Sequence, residues 1–120
     1  MLDKLRSQAP LTLPESYLTL LAFSNGPEGP LGVRPGWFQI WPAEQVLELN
    51  KGYGVPDYIP GFFGFGGNGG GEFFAFKIQS KQPYPIVMIP CVTMDERDAI
   101  VIAQDFDELI SLMGVNRDVE

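Results

Sequence analysis

Apolar positions along the chain recur at two spacings, three-to-four residues and two, and each spacing predicts an element. Leu13, Tyr17, Leu20 and Leu21 share one face at a helical period. Thr12-Leu13-Pro14-Glu15 before them reads as a capping box, and Pro14 suits a first turn whose amide has no helical partner. Asn25-Gly26 tolerates the left-handed conformation that ends helices, so the spacing predicts a helix over 13–24. Residues 1–11 read as a short leader holding one helical turn. Pro27 to Gly36 reads as a loop. Trp37-Phe38-Gln39-Ile40-Trp41 alternates and predicts a strand. Pro42 opens a second helix with Val46, Leu49 and Tyr53 on its apolar stripe and Glu44, Glu48 and Lys51 toward water. Gly52 and Gly54 end it, and Val55 to Pro60, with two prolines, reads as a connector.

The stretch Gly61–Ile78 organises the centre. It holds half of the 14 glycines and six of the nine phenylalanines. Phe74, Phe76 and Ile78 point one way and Phe73, Ala75 and Lys77 the other, which is a strand; Phe63 and Phe65 share a face on the preceding arm. Two strands around a flexible glycine loop predict an antiparallel hairpin. Aromatics on both faces predict a central place in a sheet covered on each side. Gly64 to Gly69 also fits G-x-G-x-x-G. A dinucleotide site needs that motif to lead from a strand into a helix, and here it leads into another strand, so the hairpin loop is the reading kept.

Ile86–Ile89 and Ala99–Ala103 are short β-type runs around a charged turn, Met94–Asp98. Asp105 and Glu108 repeat the capping box, and Phe106, Leu109, Ile110 and Met113 fit a helical stripe closed by Gly114. Strands clustered in the middle, without regular alternation with helices, predict an α+β fold with a mainly antiparallel central sheet flanked by helices. The 120 residues predict one domain, 1–120, with its core over about 12–113.

Charge narrows the chemistry. Eight Lys and Arg against 15 Asp and Glu leave a net charge of −7, the opposite of the basic footprint that nucleic acid or an anionic membrane attracts. It suits solubility, or a basic protein partner. No apolar run is long enough to span a bilayer, and the N-terminal stretch lacks a signal peptide's apolar core, so a cytoplasmic location is expected. No histidine is present, which removes the commonest general base and metal ligand; with a single cysteine, Cys91, neither a zinc site nor a cofactor is expected. Cys91 reads as a structural thiol near a strand end. Asp95, Glu96 and Asp98 read first as a solvated turn, and Asp105, Asp107 and Glu108 as cap and helix-dipole residues. Glu72 reads first as a strand-end carboxylate in water, and second as a contact residue at the rim of the loop. Trp37 and Trp41 read first as core and second as an aromatic pair for a partner. No acid, base and electrophile assemble, and a non-catalytic role is expected.

Several motifs taken in order resemble a known family. These are Leu13–Tyr17, Ser24-Asn25-Gly26, a strand leading into a helix with Asn50 and Tyr53, Gly69–Phe76, Pro85-Ile86-Val87, and Asp105–Ile110. Their succession over about 12–113 resembles the SUKH superfamily, also called the Smi/Knr family. Members often carry Asp where Glu72 stands, so the carboxylate is kept. The resemblance implies an α+β fold and a non-catalytic role. Many bacterial members are immunity proteins that bind and neutralise a toxin, often a nuclease, and fungal relatives act in cell-wall signalling. It brings no shared catalytic residue. The expectation is a monomer or weak homodimer whose acidic surface, with Glu72, Asp95, Glu96 and Asp98 as contact candidates, docks a basic cognate bacterial toxin. The alternative is a small-ligand or anion site in the loop Gly66, Gly67, Asn68, Gly69, Gly70 and Gly71.

Overall fold

A computed structural model of the chain describes residues 2–115. In chain order they form α1 (Leu2–Gln8), α2 (Glu15–Phe23), β1 (Glu28–Pro30), β2 (Trp37–Ile40), α3 (Ala43–Gly52), the one-turn α4 (Val55–Tyr58), β3 (Phe62–Gly67), β4 (Glu72–Lys77), β5 (Ile86–Pro90), a 3-10 turn (Glu96–Asp98), β6 (Ile100–Ala103) and α5 (Phe106–Leu112). The six strands make one sheet in the order β1 to β6, each antiparallel to the next. The fold is therefore α+β with an antiparallel sheet between helices. In a flat sheet the outer strands would stand about 24 Å apart. The chain returns from β6 to β1 through α5, whose seven residues span only about 10 Å. The sheet is curled, and that curl brings its edges within the helix's reach.

The aromatic hairpin lies at the centre, as its pattern predicts. Phe63 faces Phe76 and Gly64 faces Ala75, and then the register slips by one residue at a bulge between Gly64 and Gly66. On one face, Tyr17 from α2 and Phe106 from α5 pack on Phe65 and Phe76, with centroids 4.5 Å apart for Phe65–Phe76 and 5.3 Å for Tyr17–Phe106. All four rings are buried. Their tilted and edge-on arrangement adds to the area they remove from water. On the other face Tyr53 stacks between Trp41 and Phe73, at interplanar angles of 8° and 4°.

Asn50 is the buried polar residue of that second face, and it explains how β3 ends its pairing with β2. Trp41 N–H donates to Phe65 O, and β2 reaches no further. One residue back, the Gly64 N–H donates to Asn50 Oδ1 at 2.7 Å and Asn50 Nδ2 donates to Gly64 O at 2.8 Å. A side chain from α3 thus takes the place of a strand and satisfies both buried backbone groups. The α3 stripe differs from expectation for this reason. Ala43, Val46 and Asn50 face inward, while Leu49 is half-buried.

Further differences are local: the predicted 27–36 loop holds β1, which the sheet takes up as its first strand, and the 55–60 connector holds the one-turn α4 behind Gly54. The first eleven residues hold a seven-residue helix whose Leu5 is 1% exposed and joins the core. Helix α2 starts at Glu15, so its N-cap is Pro14, which has no side-chain acceptor, and the Thr12 box does not form; the Glu15 carboxylate accepts from Arg6 Nη1 at 2.9 Å. Asn25 does not merely stop α2. Its Oδ1 accepts from Ala43 N–H at 2.8 Å, capping α3, whose own N-cap, Pro42, has no side chain to do so. The Asp105 cap is present as expected, its Oδ1 accepting from Glu108 N–H at 2.8 Å.

Candidate functional site

An antiparallel meander sends alternate connections to the same end of its sheet. Here the β1–β2, β3–β4 and β5–β6 connections share one end. The glycine loop, Glu72 and the 95–98 turn are therefore neighbours, although they span 33 positions of sequence. Cys91 N–H donates to Gly71 O at 2.8 Å and stitches the last two connections together. Trp37 is exposed at this end, while Trp41 is buried.

The glycine loop is tied down, not loose. Asn68 Oδ1 accepts from Gly70 N–H at 2.8 Å and from Glu72 N–H at 3.1 Å, and Asn68 N–H donates to Glu72 O at 3.0 Å. Two of the amides that an anion would use are thereby spent within the loop. Gly66 and Gly67 have a packing reason. A Cβ on either would stand 2.5 Å from a backbone oxygen of the adjoining strand, Gln39 O or Glu72 O. A recess of about 140 Å³ opens beside the loop, walled by Gln39, Tyr53, Glu72 and Cys91.

Glu72 is half-buried, and its Oε1 lies 3.4 Å from Asn68 Nδ2. Burial, and then the charge of Glu72, push the Cys91 thiol above its ordinary value, so it stays a protonated thiol at neutral pH. Asp95 is committed elsewhere. Its carboxylate accepts from Arg97 Nη2 at 2.7 Å and from Arg97 N–H at 2.9 Å, capping the 3-10 turn. The Arg97 guanidinium holds it down at about 2. Glu96 and Asp98 are exposed, and among the described residues neither they nor Glu72 enter an ion pair. The four candidate carboxylates thus lie at one end of the sheet, with three free and one spent. The composition showed the charges; the pairing of Asp95 with a cation two residues away was in reach of the sequence as an Asp-x-Arg turn.

Among the described residues no group of three or more His, Cys, Asp or Glu is placed to hold a metal ion, and no helix is long and apolar enough to cross a membrane. What the end of the sheet offers is surface: carboxylates, a rigid loop and exposed aromatic and aliphatic side chains. The model of the SMI1 / KNR4 family (SUKH-1) matches residues 1–112. No curated protein matches the chain. The order of motifs, the antiparallel α+β architecture and this match over nearly the whole length agree, and the chain belongs to the SMI1 / KNR4 family (SUKH-1).

Proposed function

We propose that the chain is a non-catalytic binding module of the immunity type, which in the cytoplasm binds and neutralises a toxin whose active domain is basic, as in a nuclease. The observation that carries this reading is the gathering of Glu72, Glu96 and Asp98, free of cationic partners among the described residues, at one end of the sheet of a chain with net charge −7. Such a surface steers a basic partner into encounter and fixes its orientation. Family membership supports a protein partner, since the family includes toxin-immunity proteins.

The test is protection. Co-produced with a basic toxin domain, taken from a neighbouring gene where one is encoded there, the chain is expected to restore growth and form a complex. The triple variant Glu72→Gln, Glu96→Gln, Asp98→Asn binds about tenfold more weakly, with the loss greatest at low salt, because exposed charge pairs each add only a fraction of a kcal/mol. A chain that neither protects nor binds at low salt contradicts the reading.

A further inference from the structure

Strand β6 pairs with β5 alone, and among the described residues no strand lies along its outer side. Its first two side chains, Ile100 and Val101, are 40% and 54% exposed, one on each face. Natural sheets cover, charge or shorten such edges, because unpaired backbone groups are a template for another strand. The four residues of β6, Ile-Val-Ile-Ala, carry no charge. Charge stands at both ends instead. Six carboxylates and a single cation fall between residues 95 and 108, and that cation, Arg97, is bound to Asp95. Glu96 and Asp98 before the strand and Asp107 after it are exposed and outside any ion pair among the described residues.

We propose that the β6 edge is the docking site for an extended segment of the protein partner, apolar in its middle and bearing Lys or Arg at both ends. The segment adds a seventh strand. Main-chain hydrogen bonds hold it, and the flanking charges set its register. Charge selects against a second copy of this chain as the occupant. An antiparallel pairing centred on β6 brings Asp98 of one copy opposite Asp105 of the other. The proposal rests on the protein-binding reading above and gives it a place on the surface.

The test uses the full chain, labelled for amide exchange, and a short peptide of alternating valine and threonine flanked by lysines. The expected result is that the β6 amides pointing away from β5 exchange about tenfold or more slowly at low salt. The same peptide flanked by glutamates, or N-methylated on alternate amides, leaves exchange unchanged. The variant Glu96→Gln, Asp98→Asn, Asp107→Asn, which alters only exposed side chains, needs about tenfold more peptide. No slowing at β6, equal slowing by both flanked peptides, or protection of β6 by self-association without peptide overturns the proposal. If β6 takes the lysine peptide but the chain fails to protect against the toxin, the immunity reading falls and the docking edge stands. If protection holds and the bound toxin leaves β6 exchange unchanged, the docking edge alone falls.

Discussion

At the end of β1 the chain comes back after α5 and pairs along the edge, whereas at β6 it leaves the sheet for α5 with no strand laid beside it among the described residues. The closed edge is stitched by one antiparallel bridge, Leu31 opposite Met113, made of two hydrogen bonds. Gly114 N–H donates to Pro30 O at 2.8 Å, and Gly32 N–H donates to Leu112 O at 2.8 Å. Leu31, under that cover, is fully buried, while Val101 on the open edge is more than half exposed. One helix serves both edges, starting where β6 ends and delivering the segment that covers β1. The comparison shows that edge protection is an arrangement of the whole chain: the curl of the sheet lets seven helical residues bridge two edges, and the chain that seals one has left the other.

Truncation at matched positions gives the largest expected contrast. Leu31→Ala removes a fully buried side chain from the closed edge and lowers stability by about 3 kcal/mol. Val101→Ala on the open edge stays within about 0.5 kcal/mol, as surface substitutions usually do. Urea unfolding of the two variants checks this, and equal losses would break the comparison.

A smaller effect sharpens which charges at the open edge are free to meet a partner. Asp95 is held at about 2 by Arg97. A depressed carboxylate stabilises the fold above its ordinary value near 3.8, and that contribution is lost as pH falls through about 2. In Arg97→Ala the Asp95 carboxyl returns toward its ordinary value, which an NMR titration reads directly. An unchanged Asp95 titration would mean that the pair is not formed and that Asp95 is as free as Glu96 and Asp98.

How much of this could be read from the sequence follows from the range of each interaction. Alternation from Phe73 to Ile78 and the Asp105 cap are local, so the central hairpin and α5 were legible. Asn50 was not. It binds Gly64, 14 residues away, and a lone polar residue in a helical stripe looks like an interruption. Asn25 reaches 18 residues to cap α3, and its neighbour Gly26 suggested only a helix end. The open edge was illegible for a different reason. Ile100–Ala103 has the composition of a buried strand, and only the strand order reveals that β6 comes last. The candidate carboxylates were visible by charge, and the Asp95–Arg97 pair is local enough to read, but the convergence of the four at one end of the sheet depends on the meander.

Amide exchange of the free chain tests the contrast between the edges most directly. Gly32 and Gly114, whose N–H groups are bonded across the closed edge, are expected to exchange slowly. Alternate amides of β6, which point away from β5, are expected to exchange as fast as those of exposed loops. If every β6 amide were protected as strongly as Gly114, the edge would already be covered in the free protein, and the account of an open docking edge would be wrong.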